Sequence, residues 1–164
     1  MVSYMLPKER GIAMAITIRE AKLYDLARIA EIEVFNYRLI FYHIFKNDYF
    51  YFQEMQVLNV INENKRHLGQ LWVYDDDGII KGFMWIDSQQ IKKLFVEPVL
   101  QSQGIGAELL AYAVTELKAT YLWALEKNTR AIAFYKRHGF QTTEERMLEE
   151  GTTEYLVKLI KTDS

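Results

Sequence analysis

The chain has 164 residues, 50% of them hydrophobic and 26% charged, with a net charge of −2. That length suits one core burying roughly 70% of the unfolded chain's surface, and the composition argues against disorder. The absence of any basic run argues against nucleic acid as main partner, and the absence of cysteine excludes thiolate nucleophiles, disulfides and cysteine-bound zinc. Three scattered histidines (His43, His67, His138) offer no metal-ligand spacing, so no metal is expected.

In chain order, Met1–Ala15 holds Lys8-Glu-Arg10 before an apolar stretch too short for a signal peptide. Residues 1–14 read as a mobile tail with Met14 as a candidate start, and 15–162 as one domain. No apolar run reaches the roughly 18 residues of a membrane span, and a cytoplasmic location is expected. Ile16–Arg19 reads as a strand. Leu23, Leu26, Ala27, Ala30 and Val34 keep helical spacing, with Asp25 in the favoured first turn. Gln53–Lys65 reads as a helix through Met55, Leu58 and Ile61. Leu71–Tyr74 and Ile79–Ile86 read as strands joined by the hairpin signal Asp75-Asp-Asp-Gly78.

Ile91–Val96 is the next strand, ended by Pro98, which lacks a backbone donor. A helix over Gly104–Thr120 buries Leu109, Leu110, Ala113, Val114 and Leu117. Tyr121–Leu125 is a strand and Thr129–His138 a helix, capped by Asn128 or Thr129 and closed by Gly139. Phe140–Arg146 and Thr153–Ile160 form a closing antiparallel pair around Glu149-Glu-Gly151. This alternation predicts an α/β (α+β) domain without repeat or linker.

The most informative stretch is Leu94–Leu110, where strand, glycine turn and helix follow without interruption. The first amides of such a helix lack intrahelical partners and lie at its positive end, a recipe for binding phosphate. A Rossmann fingerprint fails because position 109 is Leu, and a Walker loop fails because no lysine follows Gly106 before Lys118. A glycine turn with nothing bound is the bland alternative.

Two blocks go further. Gln101-x-x-Gly104-x-Gly106 follows a strand, and Asn128, Ala131, Phe134, Tyr135, Gly139 and Phe140 fit N-x-x-A-x-x-[FL]-Y-x-x-x-G-F. Together, in this order and at this separation, they resemble the GNAT superfamily of acyl-CoA-dependent N-acyltransferases. The similarity is strongest over Leu94–Phe140. It implies a mixed, largely antiparallel twisted sheet of six to seven strands flanked by about four helices, with the fourth and fifth strands splayed.

The resemblance also implies roles. Acetyl-CoA would be the acyl donor, its pantetheine arm laid along Leu94, Phe95 and Val96. Its diphosphate would rest on amides of Ser102, Gln103, Gly104, Ile105, Gly106 and Ala107. Gln101 would brace that turn or reach the cofactor, and Asn128 would bond to the pantetheine arm. Tyr135 would be the general acid that protonates the departing CoA thiolate. On the residues alone, Phe134-Tyr135 could equally be core aromatics with a satisfied hydroxyl.

The general base is open among Glu97, Glu126, a histidine and water. The acceptor is a primary amine of a small molecule or peptide, and its wall is expected in the aromatic segment Phe35–Phe52. Those rings either line a pocket, with tyrosine hydroxyls and His43 as polar handles, or pack a core or a homodimer face. That segment contains no acidic cluster, which disfavours polyamines and strongly cationic antibiotics. An N-acetyltransferase working by direct attack is thus expected, with a non-catalytic acyl-CoA-binding or sensing domain as the alternative.

Overall fold

The computed structural model describes residues 15–163. The tail and the candidate start at Met14 lie outside the described residues. The strands and helices are β1 (Ile16–Glu20), α1 (Leu26–Ile40), α2 (Tyr42–Phe45), α3 (Val57–Lys65), β2 (Leu71–Asp76), β3 (Ile79–Asp87), β4 (Gln90–Val96), α4 (Ile105–Thr115), β5 (Tyr121–Leu125), α5 (Thr129–Arg137), β6 (Phe140–Leu148) and β7 (Tyr155–Lys161). They build one seven-stranded sheet in the order β1-β2-β3-β4-β5-β7-β6. All neighbours are antiparallel except β4 and β5. This is the expected mixed, largely antiparallel sheet.

The two-residue side-chain period of the strands distributes the core over both faces. Leu71, Val73 and Phe83 pack with Leu26, Ile29 and Ile32 beneath α1. Tyr74, Met84, Ile86, Ile91 and Val96 point the other way, onto Leu109, Leu110 and Ala113 of α4 and Tyr135 of α5. Helices therefore cover both faces, and β4 packs between α1 and α4. No helix among the described residues is long and apolar enough to cross a membrane.

Local chemistry set most boundaries. Asp77 and Gly78 both take positive φ (52° and 87°) in the β2–β3 hairpin, and the Gly78 amide donates to the Asp75 carboxylate at 2.6 Å. This is the primed turn that suits the twist of a hairpin.

Two helix boundaries differ from the sequence reading. The helix expected over Gln53–Lys65 is split, with a π-turn at Phe50–Glu54 and α3 starting only at Val57. The Met55 amide bonds back to the Phe50 carbonyl, and Gln56 is extended. The helix expected to reach Thr120 ends at Thr115. Lys118 takes φ 60°, and the Ala119 amide bonds to the Ala113 carbonyl in a left-handed closure without glycine. Asp25 closes a 3-10 turn over Leu23–Asp25 that runs into α1, so the acid stands in the first helical turn as expected, its carboxylate bonded by Arg19 and by the Lys22 amide.

Candidate active site

The site originates in a defect of the sheet. β4 and β5 pair only at Gln90–Tyr121 and Ile91–Leu122. Beyond those rungs the strands diverge, so the backbone of β4 from Lys93 onward has no strand beside it on the β5 side. Buried backbone groups need partners, so such an edge is a place for a ligand with amides of its own. A cleft of about 650 Å³ opens there. Its β-strand walls are Ile91–Phe95 and Leu122–Leu125, and α5 contributes Ala131 and Tyr135. The expected residues Leu94, Phe95, Asn128 and Tyr135 all line it, whereas Val96 and Gln101–Ala107 continue beyond its end.

That continuation is the glycine turn. Gly104 precedes α4 with φ 88°, a left-handed conformation that costs a residue with Cβ about 1–2 kcal/mol. Ser102 is also left-handed, with φ 65°. No side chain caps the helix, so the first amides of α4 are left for an external acceptor. A Cβ built on Gly106 would meet Phe134 at 3.5 Å and Val96 at 3.7 Å. The N-terminus of α4 is therefore seated between the end of β4 and the residue preceding Tyr135. These uncapped amides match a diphosphate, and the open β4 edge matches an amide-bearing arm.

Gln101 braces the turn. Its side-chain amide donates to the Asn36 oxygen at 3.0 Å, and Asn36 in turn donates to the Val96 carbonyl at 2.9 Å and the Ile32 carbonyl at 2.8 Å. Asn36 is 1% exposed and was not singled out in the sequence. Its i+4 place after Ile32 gave no signal, because both other partners are about sixty residues away.

Asn128 caps α5, its side-chain oxygen accepting the Ala131 amide at 3.2 Å. Tyr135 is buried, with its ring against Phe134 and Phe140. Its hydroxyl has no hydrogen-bond partner among the described residues, and burial pushes the phenol well above its ordinary value. His138 does not join it at the cleft; its Nδ1 lies 2.7 Å from the Phe134 carbonyl.

Neither carboxylate weighed as base in the sequence reaches the cleft. Glu97 is bonded by Arg28 of α1 at 2.6 Å, and Glu126 pairs with Arg146. The aromatic segment divides: Tyr37, Phe41, Phe45, Phe50 and Tyr51 line the cleft, while Phe35, Tyr49 and Phe52 are exposed. His43 lies outside the lining. The opposite wall is the β6–β7 turn, residues 149–154, which brings Glu149, Glu150 and Glu154 towards those rings. The aromatic segment holds a single acid, Asp48, which accepts from the Tyr42 hydroxyl and lies outside the lining; the acids of the cleft come from a hundred residues downstream.

Behind the wall lies a polar cluster. Glu33 of α1, 2% exposed, is joined to Lys93 of β4 and accepts a hydrogen bond from Asn64 at 3.0 Å. Asn64 reaches His67, which stacks on Trp85 at 3.8 Å. Burial alone would lower the Lys93 ammonium, but the Tyr37 phenol and Glu33 outweigh it and hold it above its ordinary range. Among the described residues no group of His, Asp and Glu side chains is placed to share a metal ion.

Residues 67–142 match the family model of the acetyltransferase (GNAT) domain. Over 75 residues, 44% of this chain and 51% of the relative, the sequence is 37% identical to the peptidyl-lysine N-acetyltransferase YjaB of Salmonella typhimurium. Over 72 residues, 43% and 49% of the two chains, it is 35% identical to the peptidyl-lysine N-acetyltransferase YiaC of Escherichia coli. The matches thus span about half the length of these curated relatives. In fold, the chain is similar to apo YjaB of Escherichia coli, with a TM-score of 0.71 at 23% identity over 92% of this chain and all of that one. It is also similar to the PaiA N-acetyltransferase of Thermoplasma acidophilum, solved with coenzyme A, with a TM-score of 0.67 at 19% identity over 88% and 98% of the chains.

Proposed function

We propose that this chain, which has the GNAT fold and a GNAT acetyltransferase domain over residues 67–142, moves an acetyl group from acetyl-CoA to a primary amine. The observation that carries the reading is the divergence of β4 and β5 beyond Ile91 and Leu122, which opens a cleft with Tyr135 among its lining residues. The peptidyl-lysine specificity of the relatives favours a lysine side chain as acceptor.

Each residue then has a physical task. The open edge of Leu94–Val96 bonds to the amides of the substrate's pantetheine arm, and one of its N–H groups polarises the thioester carbonyl. The amides of Ser102–Ala107, with the positive end of α4, hold the diphosphate. Gln101 keeps that turn against α1 through Asn36. Asn128 fixes the start of α5, so that Tyr135 is presented to the sulfur.

The amine attacks the carbonyl carbon directly in a ternary complex, the C–N bond forms, and the C–S bond breaks. Sulfur leaves as a thiolate and receives the Tyr135 proton. Burial keeps that phenol protonated, so positioning rather than intrinsic acidity makes it the donor.

Release of free CoA thiol from acetyl-CoA with a panel of lysyl peptides and small amines tests the proposal. Tyr135→Phe should lower turnover about 10²-fold with acetyl-CoA affinity little changed. Failure of every amine and peptide in the panel to give thiol release, while CoA still binds, would instead support an acyl-CoA-binding or sensing domain.

A further inference from the structure

The acceptor amine is an ammonium ion at neutral pH and must lose a proton before it can attack. The two carboxylates noticed in the sequence cannot take it, since both are ion-paired away from the cleft. Glu33 is buried and already bound by Lys93 and Asn64. Glu154, 18% exposed, is bonded by Lys127 at 2.8 Å. Of the carboxylates lining the cleft, Glu149 is half-buried and has no cationic partner among the described residues. Glu150, also unpaired, is exposed at the tip of the turn.

Glu149 ends the β6–β7 hairpin, where its amide donates to the Glu154 carbonyl at 2.8 Å. That bond holds the residue in place without using its side chain. Across the cleft stand Tyr37 and Tyr51. Burial is the main cause pushing the Tyr51 phenol up to about 12, with Tyr37 and then the negative charge of Glu149 adding to it. Tyr37 is also raised, chiefly by burial, with Lys93 opposing and Glu33 and Glu149 reinforcing. Both phenols therefore stay neutral and can donate to the carboxylate or face a cation with their rings. The other charged or titratable groups lining the same cleft are Lys92 and Lys93 of β4, Tyr135 of α5, and Glu150 and Glu154 of the turn.

We infer that Glu149 is the acceptor-side catalytic carboxylate: it binds the ammonium of an incoming lysine-like chain within the aromatic wall and takes its first proton. The inference rests on the transferase reading above. Tyr37, Phe41 and Tyr51 fit an alkyl stem capped by a cation, since ring faces attract cations and bury methylenes. The balance is complete. Glu149 accepts one proton from R–NH₃⁺ and releases it to solvent, and the resulting amine forms the C–N bond. The second nitrogen proton replaces the one that Tyr135 gives to sulfur.

The test uses two readouts on the whole chain: affinity for a lysyl peptide in the presence of CoA, and the pH profile of thiol release. Glu149→Gln should weaken peptide binding about tenfold and lower turnover at pH 7 about 10²-fold, with CoA affinity unchanged. Its kcat/KM should climb about tenfold per pH unit towards the amine's pKa near 10.4, where the wild type levels off earlier. Glu149→Asp should recover part of the loss, and Glu144→Gln, an exposed charge change outside the cleft, should behave as wild type. Equal peptide affinity and superimposable profiles for wild type and Glu149→Gln would overturn the assignment. No thiol release by the wild type with any amine would overturn the transferase reading itself, and peptide affinity alone would then decide whether Glu149 binds the cation.

Discussion

Gln101 and Asn36 are joined side chain to side chain at 3.0 Å, and through them the phosphate-facing turn is fastened to the first helix. Asn36 also holds the Val96 carbonyl at the end of β4, so one buried amide fixes both segments that would touch the acyl donor. Asn36→Ala removes bonds to two buried carbonyls and strands the Gln101 amide. It should cost roughly 2 kcal/mol in urea unfolding and weaken acetyl-CoA binding. Gln101→Ala should cost less stability, about 1 kcal/mol, with a similar loss of affinity. If either variant bound acetyl-CoA as the wild type does, the brace would have no bearing on the ligand.

Gly104 carries the left-handed step into α4, and a Cβ there would meet nothing within 4 Å. The cost of Gly104→Ala is thus conformational rather than steric, about 1–2 kcal/mol in unfolding. Part of that strain is relieved by shifting the turn, which displaces the amides that follow. Calorimetric titration with CoA should therefore show weaker binding. Binding of pantetheine, which has no diphosphate, should be affected far less. Equal losses for both ligands would contradict a diphosphate site at this turn.

The Glu33–Lys93 pair is a buried liability as well as a support. Removing Lys93 leaves a carboxylate at 2% exposure with only Asn64 to answer it. Lys93→Met should destabilise by about 3 kcal/mol. The double variant Glu33→Met/Lys93→Met should be more stable than Lys93→Met alone, because no uncompensated charge remains. Denaturant midpoints of the four proteins in that cycle check this, and simple additivity would contradict it.

Asp25 sets an acid limit. Burial pushes its carboxyl up, but the hydrogen bonds from Arg19 and the Lys22 amide outweigh burial and hold it below the ordinary carboxylate range. A depressed pKa contributes stability that is fully present above the unfolded value of about 3.9 and is lost as pH falls through the folded one. Urea midpoints from pH 6 to pH 2 should show wild type ahead of Asp25→Asn by a constant margin above pH 4 or so, narrowing below it. A margin unchanged down to pH 2 would remove Asp25 from the acid limb.

What the sequence disclosed was local. The hairpin at Asp75–Gly78, the strand before Pro98, the Gly104 turn and the Asn128 cap each depend on residues within a few positions, and all are found as read. The end of α4 was misread because its left-handed closing residue is Lys118 rather than glycine. The π-turn was misread because Met55, Leu58 and Ile61 keep helical spacing across a break. Asn36 and Glu149 were missed for a different reason. The Val96 and Gln101 partners of Asn36 lie far away in sequence, and only the sheet order brings Glu149, on the β6–β7 turn, to face the rings of α1.

A crystal structure grown with acetyl-CoA would decide most directly whether the gap between β4 and β5 is a thioester site. Pantetheine amides should pair with Leu94–Val96, diphosphate oxygens should lie within hydrogen-bond distance of amides in 102–107, and sulfur should lie beside the Tyr135 hydroxyl. Density for the ligand elsewhere, or a bound ligand whose sulfur lies out of reach of that phenol, would contradict this placement.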